Sequence, residues 1–198
     1  MIVRCATSNP GKLREFQLAG DEFGAGRFDM RVLEGLRDIP PPEENGATFE
    51  ENAIEKARYY GAKTSGWLFA DDSGLEVTAL GGAPGVHSAR YAGPGATDAS
   101  NNALLLEQLR GVNDRSAQFV CVIALVRDGG LERTFRGVVR GRIIDAPRGA
   151  NGFGYDPLFY YEPFGCTFGE ADTAAKMKVS HRAQALRQMF EYLTTIGG

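Results

Sequence analysis

The sequence predicts a mixed α/β (α+β) fold, with a twisted mixed sheet flanked by helices. Three features carry that expectation. Apolar runs of strand length stand at residues 2–6, 67–70 and 117–127. Amphipathic stretches opened by capping residues fall between them without strict alternation. Asp128-Gly129-Gly130 marks a tight turn between two extended runs, which puts a hairpin in the sheet.

Taken in order, residues 2–6 read as a buried strand. Asn9 caps the helix that follows, and Pro10 suits its first position, where no N–H is needed. Leu13 and Phe16 then face the core, and the Gly-rich stretch 20–27 reads as a turn region. Residues 30–33 make a short strand. Ile39-Pro40-Pro41-Pro42-Glu43-Glu44-Asn45-Gly46 is irregular, because three prolines in a row fix φ and remove donors. Thr48-Phe49-Glu50-Glu51 is a capping box that opens a helix running to residue 63. Its apolar stripe is Phe49, Ala53, Ala57 and Tyr60, with Asn52 and Lys56 at the stripe's edge.

The strand at 67–70 ends in Asp71-Asp72-Ser73-Gly74, and residues 75–80 continue extended. Residues 81–95 form a long irregular segment, of the kind that is usually functional or mobile inside a compact domain. A helix from Asp98 to residue 110 buries Leu105 and Leu109. The strand at 117–127 turns back as 131–140 and extends to 145. Ser180 caps a last helix with Leu186, Phe190 and Leu193 inside.

A length of 198 residues fits one domain, or one domain with two lobes, and 43% hydrophobic residues suffice for a core. The net charge of -3 disfavours a nucleic-acid polymer as partner, since binders of that kind are usually basic. Few cations at particular places suit a small anionic ligand better. The three cysteines, Cys5, Cys121 and Cys166, are odd in number and lack a short metal-type spacing. They read as reduced thiols of a cytosolic protein. Met1-Ile2-Val3-Arg4 shows no signal-peptide pattern, and no apolar run approaches ~18 residues. The expectation is a soluble cytoplasmic protein with no membrane partner.

Several groups of residues have chemical potential. Thr7-Ser8-Asn9-Pro10-Gly11-Lys12 lies between a strand and a helix, where unpaired N–H groups and the macrodipole favour an anion and Lys12 adds a full charge. It is not a Walker sequence, and an ordinary capped helix would read the same way. Asp71-Asp72 places carboxylates at the end of a strand, where one can hold Mg²⁺ or position water, although Asp-Asp-Ser-Gly is also an ordinary turn. Because strand neighbours point to opposite faces, at most one of the pair faces a given site. Glu43 and Glu44 are further hard oxygen donors, unless they are simply solvated. In Gly152-Phe153-Gly154-Tyr155-Asp156 the glycines let the backbone approach a ligand. Phe153 suits stacking on a base and Asp156 a polar edge or a cation, the alternative being that Phe153, Tyr155 and Phe159 are core. His181 and Arg182 put cations in the first turn of a helix, where the dipole disfavours them. A local rule broken in this way points to function. With Lys176 nearby, these pieces describe a nucleotide pocket.

The same residues, in the same order, resemble the inosine triphosphate pyrophosphatases in their bacterial dITP/XTP form. The resemblance runs nearly end to end through Thr7–Lys12, Thr48-Phe49-Glu50-Glu51-Asn52-Ala53 and Ala70-Asp71-Asp72-Ser73-Gly74-Leu75. It continues through Gly81-Gly82-Ala83-Pro84-Gly85, Gly152-Phe153-Gly154-Tyr155-Asp156-Pro157 and Ser180-His181-Arg182. It departs at Ser8, where the family commonly has Gly.

The resemblance implies a single domain over 1–198 with a long central sheet and two lobes around a nucleotide cleft, in a homodimer. It implies hydrolysis of ITP, dITP and XTP to monophosphate and pyrophosphate with Mg²⁺, cleansing the nucleotide pool. Carried over by position, Thr7, Ser8, Asn9, Pro10, Gly11 and Lys12 would hold phosphate. Asp72 would be the proton acceptor and a metal ligand. Glu43 would be the second metal carboxylate, with Glu44 as its neighbouring candidate. Ser73, Lys56 and Lys176 would contact the nucleotide. Phe153, Gly154, Tyr155, Asp156, His181 and Arg182 would form the base pocket. The alternatives are a pyrophosphatase for other modified nucleotides and a nucleotide-binding module without catalysis.

Overall fold

A computed structural model describes residues 1–24 and 26–197. Among these residues seven strands lie in one mixed sheet in the order β2-β1-β3-β4-β5-β6-β7. β1 (Ile2–Cys5) pairs in parallel with β2 (Asp29–Val32) and with β3 (Trp67–Val77). β4 (Ser116–Arg127) and β5 (Gly130–Ile143) follow as the predicted hairpin. β6 (Phe159–Tyr161) pairs antiparallel with β5, and the two-residue β7 (Cys166–Thr167) pairs antiparallel with β6. The helices are α1 (Pro10–Phe23), α2 (Phe49–Gly61), α3 (Asp98–Gln108), α4 (Thr173–Val179) and α5 (His181–Ile196). The mixed α/β expectation therefore holds. No helix among the described residues is long and apolar enough to cross a membrane.

The local signals act as read at several ends. Asn9 accepts the N–H of Lys12, with Pro10 in the first turn of α1. Thr48 and Glu51 complete a capping box at α2, each side chain taking the other's orphan N–H. α3 starts at Asp98 as read, and Thr97 caps it.

Three readings are corrected. The Gly-rich stretch from residue 20 is still helical to Phe23, because burial of Phe16 and Ala19 carries α1 past Gly20. The strand at 67–70 does not end at the aspartates: β3 runs on to Val77, with Asp71 and Asp72 in its interior. Ion pairs make that possible, since an unpaired carboxylate would not be tolerated in a buried strand. The segment at 78–90, read as irregular or extended, contains short 3₁₀ turns at Thr78–Leu80 and Gly85–Arg90.

The chain forms two compact units. The first comprises Met1–Asp72, Cys121–Gly137 and His181–Gly198. Its core includes Phe16 and Phe69, whose rings meet edge to face at 5.0 Å, together with Leu68, Ile123, Leu125 and Leu186. In this unit α5 lies directly on β5. A Cβ placed on Gly137 would stand 1.9 Å from the carbonyl oxygen of His181 and 2.9 Å from the nitrogen of Ala185. Both obstacles are backbone, so no rotamer change relieves them. Gly137→Ala is expected to cost about 3 kcal/mol, the upper end of ordinary overpacking, in urea unfolding. An unchanged midpoint would refute this close approach.

The second unit comprises Ser73–Val120 and Val138–Ser180. Its core joins Leu75, Leu105, Leu109 and Val139 to a ring cluster of Phe119, Phe159 and Phe168. The ring centroids of Phe119 and Phe159 are 4.6 Å apart, and those of Phe159 and Phe168 are 5.1 Å apart.

Candidate active site

In the first unit, the turn before α1 is stapled by its own side chains. Thr7 Oγ1 accepts the N–H of Asn9 at 3.2 Å, and Asn9 Oδ1 accepts the N–H of Lys12 at 3.0 Å. The turn is thereby fixed, and Lys12 Nζ is directed to Asp71 Oδ2, 2.8 Å away. Asp71 also faces Arg182, whose Nε lies 3.7 Å from the same oxygen. Arg182 hydrogen-bonds Glu15 of α1 through Nη1. Glu15, Arg182, Asp71 and Lys12 thus form a charge network, with all but Lys12 buried.

Asp72 meets other partners, as strand alternation requires. Lys56 Nζ lies 3.1 Å from its Oδ1, and Asn52 Nδ2 donates to its Oδ2 at 3.1 Å. Asn52 and Lys56 are four apart on α2, which puts both on one face. Asn52 is fully buried and has a second bond, accepting the N–H of Gly46 at 2.8 Å. It thereby ties the acidic loop to Asp72. Within that loop Glu44, not Glu43, reaches the cluster: its Oε1 is 3.4 Å from Lys56 Nζ. Glu43 instead accepts from Asn45. A cavity of about 390 Å³ opens here, lined by Thr7, Ser8, Asn9, Lys12, Glu44, Lys56 and Asp71 among others.

The neighbouring aspartates have opposite electrostatics. Burial pushes the Asp71 carboxyl up, but Lys12, Arg182 and Lys56 outweigh it and hold the pKa down at about 2. Burial also raises Asp72, and there Lys56 and Lys12 do not fully compensate, so its pKa stays above the usual value. Two carboxylates whose environments drive their pKa values apart are suited to different tasks. Asp71 is a fixed anion, whereas Asp72 is the more basic of the two. Burial would lower Lys56, but Asp72, Asp71 and Glu44 raise it, so it remains a cation.

In the second unit, the 152–156 loop is built around a buried ion pair. Lys176 Nζ lies 2.6 Å from Asp156 Oδ2, and the same oxygen accepts the N–H of Phe153 at 2.9 Å. The ammonium stands 5.3 Å from the centroid of the Phe153 ring and 5.6 Å from that of Phe168. Tyr155 is buried, and its hydroxyl donates to the Ser88 carbonyl at 2.8 Å. Phe153 is only half-buried. Of the three aromatics, Tyr155 and Phe159 are therefore core and Phe153 keeps an accessible face.

The structure puts Lys56 against Asp72, two residues read as one site, and adds Asp71, which strand alternation had set apart, between Lys12 and Arg182. Phe153, Gly154, Asp156 and Lys176 also come together. Ser73, half-buried, begins the second unit. His181 and Arg182 are buried at the start of α5 in the first unit. Sequence reasoning missed Glu15 and the bridging role of Asn52. The signal for Asn52 was its i, i+4 spacing to Lys56. For Glu15 it was a carboxylate four residues before Ala19 on the buried side of α1.

Fold and cluster together define an α/β protein with a lysine–carboxylate site at a helix start. The sequence pattern of the Ham1 family matches residues 3–192, and the chain belongs to that family. It is 50% identical over 188 residues to the dITP/XTP pyrophosphatase of Syntrophobacter fumaroxidans, covering 95% of this chain and 80% of that protein. The dITP/XTP pyrophosphatase of Geobacter sulfurreducens is 48% identical over 190 residues, with 95% and 94% covered. Among solved structures, a HAM1 protein from Coxiella burnetii superimposes with a TM-score of 0.86 at 42% identity, covering 98% of this chain and 99% of that one. The Staphylococcus aureus Ham1 protein also gives 0.86, at 38% identity and 99% and 100% coverage.

Proposed function

We propose that this chain hydrolyses dITP, ITP and XTP to the monophosphate and pyrophosphate. The observation that carries the reading is the pair of adjacent aspartates on β3, each held by its own lysine beside the cavity at the start of α1. The names of the relatives supply the substrate class. In this reading the turn from Thr7 to Lys12 takes the triphosphate. Lys12 and Lys56 offset its charge, which otherwise repels a nucleophile. Asp72 accepts the proton of a water attacking the α-phosphorus in line, and pyrophosphate leaves. Asp71, held ionised by Lys12 and Arg182, keeps Lys12 in place.

The donor set fits Mg²⁺. Asp72 and Glu44 both lie against the Lys56 ammonium, so a positive charge suits the space near both. Among the described residues there is no cluster of three or more His, Cys, Asp or Glu that would form an all-protein cage. That agrees with an ion held by one or two carboxylates and completed by substrate phosphates. We assign Asp72 and Glu44 to it, in place of Glu43. When bound, Mg²⁺ would supply charge neutralisation at the phosphates.

Phe153 and its loop are assigned to the base, with Lys176 supporting that loop through Asp156. Arg182 is assigned to Asp71 and Glu15 through the contacts it makes, and His181 remains a candidate donor to a 6-oxo group. Ser73 is kept as a nucleotide contact. A homodimer in the cytoplasm completes the reading.

The test is product analysis with ITP and Mg²⁺ in ¹⁸O-water. IMP and pyrophosphate are expected, with the label in IMP. IDP and orthophosphate, or label in pyrophosphate, would place the attack at another phosphorus and end this proposal.

A further inference from the structure

The second unit contains a polar clamp that the proposed chemistry leaves unused. Gly154 has a left-handed backbone, φ +63°, and a Cβ there would meet nothing within 4 Å. The glycine thus serves conformation, not space. Both backbone polar groups of Gly154 go to α3. Its N–H donates to Asp98 Oδ2 at 2.7 Å, and its carbonyl accepts from Asn102 Nδ2 at 3.0 Å. Asp98 and Asn102 are four residues apart, so they project from one face of the helix. Asp98 lies in the first turn, where the macrodipole favours a carboxylate.

Asn102 has a second peculiarity. Its Oδ1 is buried and has no hydrogen-bond partner among the described residues. A buried acceptor without a partner costs free energy, so packing alone would favour an apolar side chain at this position. Among the described residues, the hydrogen bond this amide makes is the grip on Gly154. The loop's other residues are anchored elsewhere: Phe153 N–H on Asp156, and the Tyr155 hydroxyl on Ser88. Gly154 is the joint between those anchors, and among the described residues its hydrogen bonds go to α3 alone.

We propose that Asp98 and Asn102 are positioning residues for base selection. By gripping both polar groups of Gly154 they fix the Phe153 face against which a purine base is read. This rests on the assignment of the loop to the base. Neither residue is placed against substrate.

The test compares Asp98→Ala, Asn102→Ala and Asp98→Asn with the parent protein. Steady-state kinetics on ITP and ATP, thermal unfolding and hydrogen exchange of the 152–156 amides are measured for each. Both alanine variants are expected to lower the ITP/ATP ratio of kcat/KM by about 10-fold, the order of one lost hydrogen bond. The loss should appear as a higher KM for ITP with kcat nearly kept. Loop amides should exchange faster while the thermal midpoint stays near the parent's. Asp98→Asn keeps an acceptor oxygen and should restore most of the ratio.

An unchanged ratio despite faster exchange would overturn the proposal, because the clamp would then order the loop without affecting base choice. Equal losses on both nucleotides, or a fall in ratio that tracks a fall in thermal midpoint, would overturn it as well. If the parent protein releases no pyrophosphate from ITP, the assignment of the loop to the base fails first. If the parent discriminates and the variants match it, only the role of Asp98 and Asn102 falls.

Discussion

Asp72→Asn is expected to lower kcat for ITP by about 100-fold or more while the protein stays folded. The substitution keeps the shape and removes the charge and the proton-accepting oxygen. Two effects on stability oppose each other. The carboxylate takes one donor on each oxygen, Lys56 on Oδ1 and Asn52 on Oδ2, and an amide has only one acceptor. One of those bonds is therefore lost, at about 1 kcal/mol. Against that, burial disfavours the Asp72 anion, and a neutral group removes that penalty. The thermal midpoint should stay close to the parent's. Near-parental turnover would remove Asp72 from proton transfer, and a collapse of the midpoint would make its role structural.

The second large effect concerns stability in the second unit. Asp156→Ala is expected to cost about 3–5 kcal/mol in urea unfolding, because it breaks a buried ion pair by removing one partner. The two side chains are only 4% and 3% exposed, so water does not take over the lost interaction. The same carboxylate holds the N–H of Phe153, which the variant also releases. Adding Lys176→Met should recover much of the loss, since a buried pair replaced on both sides by apolar groups is often near neutral. A double-substitution cycle measures that coupling. A single-variant cost under about 1 kcal/mol would mean that the pair is solvated and weak. The cycle also separates two roles for Lys176, because a lysine kept mainly for phosphate would show little coupling to Asp156.

The sequence by itself determined the elements whose causes are local. The caps at Asn9 and Thr48, the proline at the start of α1 and the Asp128-Gly129 turn are short-range chemistry, read from a few residues. The candidate site was legible for a related reason. Lys12 follows a capped turn, Asn52 and Lys56 share a helix face, and the paired aspartates interrupt an apolar run. None of that required knowing what faces what.

Tertiary structure alone decided the partners. β3 runs through Asp71 and Asp72 because Lys12, Arg182, Lys56 and Asn52, distant in sequence, meet those carboxylates and remove the cost of burying them. α1 continues past Gly20 because its buried face outweighs one glycine's helix penalty of about 1 kcal/mol. That Glu44 rather than Glu43 reaches Lys56 depends on the register of a proline-rich loop that Asn52 pins through Gly46. Arg182 reads in sequence as a cation exposed to a ligand. Its pairing with Glu15, 167 residues away, is a long-range contact that no local pattern encodes. Propensity and capping act over a turn or two of chain, whereas buried charges are settled by whichever opposite charges the fold brings to them.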